Sequence, residues 1–300
     1  DSGVFLYDTL NQRWRRFGPT IQQVNSMAAD PSNPANIFLA CGNGIVRSQN
    51  NGKTWKMVTG WRESDITKIA VDPSNGQNVY AATAWGVVIS RDGGDTWSEA
   101  NTGLVEKLSK SIVVDHLNPT RLLVATTAGL FESMDSAASW EQVQSAPDIA
   151  ILGLSRSLAD TSLWVAGTEG GGVIISKDDG RTWKPSAPEL SHANIYGVTT
   201  NPHDRRSMAA GGWTTGIWIS TDGGAHWMNR SEGLPSMNVT KTAFDQTIPG
   251  RLWVSTFEEG TFYSDDLGET WRGDEIIKPG AAGSILGAFV VDLGFVPTTK

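Results

Sequence analysis

The sequence predicts an all-β protein, a seven-bladed β-propeller whose blades are four-stranded antiparallel sheets. An eight-residue motif, Ser-x-Asp-x-Gly-x-Thr-Trp, recurs along the chain, with its clearest copy at residues 90–97. Short strand-like runs surround each copy, and no segment of useful length shows helical periodicity. The motif tryptophans lie 41 to 44 residues apart, at positions 14, 55, 97, 140, 183, 227 and 271. A period of about 40–45 residues with four strands is typical of a propeller blade.

The motif itself is predicted to be a hairpin turn with a packing anchor. An aspartate side chain accepts backbone N–H groups a few residues further on, and glycine supplies a positive φ without steric cost. The tryptophan buries a large ring where one repeat meets the next. A glycine also stands four residues before each copy, at 3, 44, 86, 129, 172, 216 and 260. We therefore assign the motif a structural role and no chemistry.

Residues 65–100 show how one repeat is organised. Asp65–Pro73 alternates apolar and polar residues and ends at Asp-Pro, which predicts a first strand. Asn78–Thr83 and Gly86–Ser90 are predicted as the second and third strands, and Thr96–Ser98 as the start of the fourth. First strands end in a similar way at Asp30, Asp115 and Asn201, so the same order is expected in the other repeats.

The two ends of the sequence together supply the strands of one more blade. Gly3–Tyr7 and Arg13–Phe17 match a third and a fourth strand, whereas Ser284–Asp292 and Gly294–Thr298 match a first and a second. We predict one domain over residues 1–300, closed by a blade that both ends share. Closure removes the exposed sheet edges that favour aggregation.

Composition narrows the classes of partner. The net charge is −8 with acids and bases interspersed, which argues against nucleic acid and anionic membranes. No run approaches 18 apolar residues, so no membrane insertion is expected. Cys41 is the sole cysteine, so no internal disulfide forms. No signal peptide is visible. The sequence begins at Asp1 without a methionine and enters a strand-like run within three residues, as expected after removal of a leader or a tag. We expect a secreted or periplasmic monomer, with the cytoplasm as the alternative.

The repeated motif resembles the bacterial neuraminidase repeat, also called the Asp-box, over nearly the whole chain. Proteins with this motif include sialidases, xyloglucan-processing glycosidases, sortilin-type receptors and a photosystem II assembly factor. The Asp-Pro-Ser-Asn-Pro sequence at 30–34, followed by Asn-Ile-Phe-Leu-Ala at 36–40, looks most like the xyloglucan-glycosidase and sortilin branch. The resemblance implies a β-propeller and leaves the activity open, because one fold carries many functions.

The catalytic signatures of these families are incomplete here. Sialidases carry an Arg-Ile-Pro motif that this sequence lacks, which argues against sialidase activity. The resemblance to xyloglucan enzymes implies two propellers facing a cleft and an acid in a Thr-Asp-x-Gly-Gly stretch. The nearest match is Thr168–Gly172, where Glu169 replaces the aspartate in a different blade.

Candidate binding residues lie in loops predicted on the face opposite the Asp-boxes. Three tryptophans, Trp61, Trp85 and Trp213, belong neither to a motif nor to a strand. We predict that they are exposed, with Trp213 across the channel mouth from the other two. The alternative is that they plug the channel or pack between blades. The predicted ligand-binding residues are Trp61, Arg62, Trp85, His192 and Trp213.

Two functions follow from these loops. The first is a binding or scaffold module for a glycan, peptide or protein on this face. The alternative is a glycoside hydrolase, since two carboxylates about 5–10 Å apart can cleave a glycosidic bond. The candidate catalytic acids are Asp65, Asp148, Glu169 and Glu258. The sequence shows no Cys/His cluster and no phosphate-binding loop, so neither a metal nor a cofactor is expected.

Overall fold

The computed structural model describes residues 4–8, 13–21, 23–257 and 259–273. These residues form an all-β propeller with six four-stranded antiparallel blades and one two-stranded sheet. In each blade the strands pair in chain order, so that every connection within a blade is a hairpin. The predicted blade architecture is confirmed. The predicted strands at 284–292 and 294–298 lie outside the described residues.

The described chain divides into two compact units, and the first comprises residues 18–151. It holds three blades. Their strands are β3 (Val24–Asp30), β4 (Asn33–Cys41), β5 (Gly44–Ser48) and β6 (Lys56–Met57); β7 (Ile66–Val71), β8 (Val79–Thr83), β9 (Gly86–Ser90) and β10 (Ser98–Glu99); and β11 (Ser109–Val114), β12 (Leu122–Thr126), β13 (Gly129–Ser133) and β14 (Glu141–Gln142).

The second unit contains residues 4–17 and 152–273 of the described chain. Its two-stranded sheet is β1 (Phe5–Asp8) with β2 (Arg13–Arg16). Its blades are β15 (Ile151–Arg156), β16 (Trp164–Thr168), β17 (Val173–Ser176) and β18 (Lys184–Pro185); β19 (Ile195–Thr200), β20 (Met208–Gly212), β21 (Gly216–Ser220) and β22 (Met228–Asn229); and β23 (Val239–Phe244), β24 (Leu252–Thr256), β25 (Gly260–Ser264) and β26 (Arg272–Gly273). A short 3₁₀ helix, Pro188–Leu190, precedes β19.

The core lies between successive blades of each unit. Second strands such as β8 and β12 are buried along their whole length, because both faces of a blade are covered. One cluster between the second and third blades of the first unit contains Tyr80, Phe131 and Trp140. Trp164 and Trp253, predicted as core residues of second strands, are buried, which confirms that prediction.

Each of the six Asp-boxes between residues 48 and 271 closes its turn with an internal hydrogen-bond network. Ser90 Oγ donates to Asp92 Oδ1 and accepts the Gly94 N–H, both at 2.8 Å. The Asp92 carboxylate accepts the Thr96 N–H at 2.8 Å and the Thr96 hydroxyl at 2.6 Å. These bonds, the Thr96 hydroxyl first, lower the pKa of Asp92 to about 2. Gly94 has φ +91°, as predicted for this position. The serine was recognised as the first residue of the motif, but its role in closing the turn was not predicted.

The motif tryptophans anchor repeats in two ways. Trp140 is buried and its Nε1 donates to the Ala100 carbonyl of the preceding repeat at 2.8 Å. Trp271 makes the equivalent bond to the Arg230 carbonyl at 2.7 Å. Trp97 is only half-buried, and its Nε1 donates to Gly94 in its own turn at 3.3 Å. The predicted anchor between repeats therefore differs in strength from one copy to another.

The predicted strand limits need small corrections. The first strand of the second blade begins at Ile66, because Asp65 has a left-handed backbone (φ +53°) that ends the preceding loop. The fourth strand is Ser98–Glu99, since Thr96 is held in the Asp-box turn. At the N-terminal end, β1 and β2 occupy the region predicted for a third and a fourth strand.

Hydrogen bonds confirm the sorting of loops onto two faces within each unit. Asp-box turns contact the turn between strands one and two, as in the bond from the Gly93 N–H to the Gln77 carbonyl. The turns between strands two and three instead contact the linker that enters the blade. The Ala84 N–H donates to Asp65 in the first unit, and the Phe257 N–H donates to Asn238 in the second. We call this second set of loops the linker face.

Candidate ligand-binding surface

On the linker face of the first unit, Trp61 lies in the linker that enters the second blade. Its side chain is 83% exposed. The linker is fixed on both sides: the Ile45 N–H donates to Thr59 Oγ1 at 2.8 Å, and the Asp65 N–H donates to the Gly42 carbonyl at 2.8 Å. The Gly60 N–H donates to the Glu63 carboxylate at 2.9 Å. An exposed ring is therefore presented on an ordered loop.

Trp85 lies in the adjacent β8–β9 turn and is 64% exposed. The neighbouring Ala84 N–H donates to the Asp65 carbonyl at 3.1 Å, which joins this turn to the Trp61 linker. The Trp85 N–H donates to Thr83 Oγ1 at 2.9 Å, and Asn101 Nδ2 donates to the Trp85 carbonyl at 3.4 Å. The structure thus brings the two predicted loops together. The predicted exposure of both tryptophans is confirmed.

Val105 extends this surface and was not predicted. It lies in the linker that enters the third blade and is 81% exposed. Asn101 begins the same linker, and its Oδ1 accepts the Val87 N–H at 2.8 Å, while Glu106 accepts the Leu108 N–H at 2.9 Å. A single valine in a short linker, directly after Leu104, gives no sequence signal of its own. We call Trp61, Trp85 and Val105 the Trp61–Trp85 surface.

A recurring polar residue holds these linkers in place. Four residues after the motif tryptophan, the side chains of Thr59, Asn101 and Ser231 each accept the N–H of the second residue of a third strand. Each bond ties the linker to the blade that it leaves. This spacing was a usable sequence signal for ordered linkers, and it was missed.

The second unit carries Trp213 on its own linker face. Trp213 is 41% exposed, and its ring contacts Phe257 edge-on with ring centroids 5.0 Å apart. Tyr196 and His192 are exposed in β19 and in the linker before it. Tyr196 lies at a register shift between Ile195 and Gly197, where a β-bulge redirects side chains. The predicted placement of Trp213 opposite Trp61 and Trp85 stays a prediction.

The candidate acids do not form one described cluster. Asp65 and Asp148 are exposed in the first unit, and Asp148 accepts a hydrogen bond from Gln142 Nε2 at 2.7 Å. Glu169 is exposed in the β16–β17 turn of the second unit. That turn is ordered by the Gly170 N–H, which donates to Asn194 Oδ1 at 2.8 Å. Glu258 lies outside the described residues. The catalytic assignment of these acids stays a prediction.

Among the described residues, no group of three or more His, Cys, Asp or Glu side chains is arranged to hold a metal ion. The described part of the chain also contains no helix long and apolar enough to span a membrane. Cys41 is buried, and burial raises the pKa of its thiol to about 11.

Two family models match parts of the chain. The BNR/Asp-box repeat matches residues 88–99. The Sortilin-Vps10 family, described as "Sortilin, neurotensin receptor 3", matches residues 171–275. No curated protein sequence matches the chain.

Solved structures with low sequence identity share the fold. A GH74 enzyme from Niastella koreensis has TM-score 0.77 at 19% identity, covering 90% of this chain and 50% of the enzyme. The GH74 xyloglucanase from Xanthomonas campestris has TM-score 0.72 at 18% identity, with 90% and 51% covered. YCF48 bound to D1 peptide has TM-score 0.68 at 20% identity, with 88% and 85% covered. The chain spans about half the length of the GH74 enzymes.

Fold and motif together define an Asp-box β-propeller. The family matches and the structural neighbours confirm the resemblance to the xyloglucan-glycosidase and sortilin-type branch. At these identities the neighbours establish the fold alone, and function has to be argued from the surface of this chain.

Proposed function

We propose that the protein is a ligand-binding module that holds a glycan or a peptide on its linker face. The observation that carries this proposal is the Trp61–Trp85 surface. Two tryptophans and a valine project into solvent from three loops that hydrogen bonds hold in place. Exposed apolar side chains gathered in one region mark interaction sites. Because these loops are already ordered, little loop entropy is lost when a ligand binds.

The structural neighbours support both ligand classes. One neighbour is described as a xyloglucanase, and another was solved with a bound peptide. Tryptophan rings pack well against the apolar faces of sugars and against peptide side chains. For this chain, binding to glycan and peptide arrays distinguishes the two ligand classes.

The proposed module is tested with matched alanine variants of exposed residues. Trp85→Ala and Trp61→Ala should each weaken binding to glycan and peptide arrays by about 1–3 kcal/mol, a typical cost for interface hot spots. Leu117→Ala is the control, because Leu117 is exposed in the turn between β11 and β12. Retention of every bound ligand by both tryptophan variants would contradict the proposal.

A glycoside hydrolase is the second candidate, and Glu169 is the residue that favours it. It is exposed in a turn with three glycines, in a propeller whose structural neighbours include GH74 enzymes. Asp65, Asp148 and Glu258 are the remaining candidate acids. This second function would be supported if the protein releases reducing sugar from xyloglucan and if Glu169→Gln abolishes that release while xyloglucan binding persists. A protein that binds xyloglucan without any hydrolysis would exclude it.

We also propose that residues 1–300 form one seven-bladed domain. The support is the sheet β1–β2, which packs on the β23–β26 blade. Trp253 contacts Tyr7 and Trp14 with ring centroids 5.1 and 6.1 Å away. A two-stranded sheet covers less of a neighbouring blade than a four-stranded one, so two further strands are needed to complete it. The C-terminal residues are the proposed source of those strands.

A further inference from the structure

We infer that the Trp61–Trp85 surface binds an extended peptide segment that carries a lysine or arginine between apolar side chains. The inference rests on the proposed function, since it names the ligand of the same surface. Two observations support it: the carboxylates near the two tryptophans, and the rings themselves, since Trp61 already contacts a cation and Trp85 is exposed.

Carboxylates outnumber cations around the two rings. Asp65 is exposed and its Oδ2 accepts a hydrogen bond from Ser64 Oγ at 3.3 Å. Glu99 accepts Asn101 Nδ2 at 3.4 Å, and the same nitrogen lies 3.4 Å from the Trp85 carbonyl. Glu63, Asp65 and Glu99 thus lie in or beside the Trp61 linker and the Trp85 turn, and Glu106 follows Val105. The same loops carry two cations, Arg62 and Lys107. A ligand that brings positive charge is favoured there by electrostatic complementarity.

A contact within the protein shows that a tryptophan ring of this surface binds a cation. The Arg62 guanidinium lies over Trp61, 5.3 Å from the ring centroid. Tryptophan is the aromatic side chain that binds cations best. Trp85 is 64% exposed, and none of the described cations lies over its ring. The exposed Trp85 ring is therefore the place for a ligand's lysine or arginine, and the Asn101 amide links the Glu99 carboxylate to the Trp85 backbone carbonyl.

The apolar part of the ligand is assigned to Val105 and the rim of Trp61. Trp61, Trp85 and Val105 lie on three neighbouring loops, since Ala84 bonds to Asp65 of the Trp61 linker and Asn101 of the Val105 linker bonds to Trp85. An extended peptide rises about 3.3 Å per residue and places alternate side chains on one side. Such a chain can set apolar, basic and apolar side chains along that side. A neutral sugar would leave the excess of negative charge uncompensated.

The test uses the full chain and four immobilised probes. Three are capped seven-residue peptide pools with Leu at positions 2 and 6, with Lys, Gln or Glu at position 4, and with random residues elsewhere, so that the three fixed side chains lie on one side of an extended chain. The fourth is a neutral xyloglucan oligosaccharide. The Lys pool should retain about tenfold more protein than the Gln pool, and more again than the Glu pool. Raising the salt concentration should narrow these differences, because exposed charges are screened.

Variants separate the contributions of ring and charge. Trp85→Ala should reduce retention on the Lys pool about tenfold. Glu99→Gln and Asp65→Asn should each reduce it about twofold to fivefold, while retention on the Gln pool stays unchanged. Glu141→Gln is the matched control, because Glu141 is exposed in the same unit on strand β14. Equal retention on the Lys and Gln pools would overturn the inference.

The oligosaccharide distinguishes failure of the inference from failure of the proposed function. One outcome is that the protein binds the oligosaccharide, that Trp85→Ala abolishes this binding, and that no peptide pool retains the protein. This outcome would overturn the peptide ligand and would still support the proposed binding module. Retention on none of the four probes would count against both.

Discussion

The two kinds of tryptophan anchor should differ measurably in what they contribute to stability. Replacing Trp140 by Phe keeps an aromatic ring in the core and removes the N–H that donates to the Ala100 carbonyl at 2.8 Å. That carbonyl belongs to a buried residue, so it is left without its partner. An unsatisfied buried acceptor costs about 1–3 kcal/mol, and the smaller ring adds a cavity term. We expect Trp140→Phe to lower the free energy of unfolding by about 2–4 kcal/mol.

Trp97→Phe is the matched comparison. Its N–H makes a long 3.3 Å bond within its own turn and its ring is only half-buried, so less is lost when the donor and the larger ring are removed. We expect a loss of about 1 kcal/mol, the net value of an ordinary hydrogen bond. Urea titrations followed by far-ultraviolet circular dichroism give both values without relying on tryptophan fluorescence. Equal midpoints for the two variants would refute the view that buried anchors between repeats dominate.

Four further outcomes are expected. Deleting residues 284–300 should lower the melting temperature and increase aggregation, and unchanged melting would refute the shared blade. Gly94→Ala should destabilise by about 2–5 kcal/mol in urea titrations, because φ is +91° and the new Cβ would lie 2.8 Å from Phe38. The pKa of Asp92, lowered to about 2, implies stability that is present above about pH 4 and is lost as the pH falls towards 2. Asp92→Asn should flatten that part of the stability–pH curve. Hydrogen bonding to Asp222 raises the pKa of His226, so its contribution is present below about pH 6.5 and is lost as the pH rises through the raised value. His226→Thr should remove this dependence in pH-dependent melting.

The blade architecture could be predicted because the motif ties sequence spacing to geometry. A turn that needs Ser, Asp and Gly at fixed offsets leaves the same mark in the six copies from residue 48 to residue 271, even where Asn50 replaces the aspartate or Ala137 the glycine. The copy at 7–14 keeps only the tryptophan and the spacing. Asn50 still accepts the Thr54 N–H at 2.8 Å, and Ala137 still adopts a positive φ of 69°. Variation in single residues therefore did not hide the repeat.

The candidate site could be predicted only in part. Elimination identified Trp61 and Trp85, because a tryptophan outside both motif and strand has no packing role to fill. The same elimination cannot find Val105, since valine is common in strands and in linkers alike. The placement of loops around Trp85 depends on the bond from Ala84 to Asp65, which joins residues 19 positions apart. Sequence patterns of one repeat do not specify contacts of that kind.

The Asp-box is poorly suited to catalysis or ligand binding, although its aspartate recurs in most copies of the repeat. In the box that ends at Trp183, Asp178 accepts the Ser176 hydroxyl and both the N–H and the hydroxyl of Thr182. These hydrogen bonds, with the Thr182 hydroxyl first, lower the pKa of Asp178 to about 2, so the group stays ionised at neutral pH. A general acid needs a proton to give, and a ligand needs acceptors that are not already used. The polar groups of the motif are consumed in closing the turn. This leaves the linkers and their neighbouring turns for the proposed binding function, because hydrogen bonds hold their backbone while the side chains of Trp61 and Trp85 stay exposed.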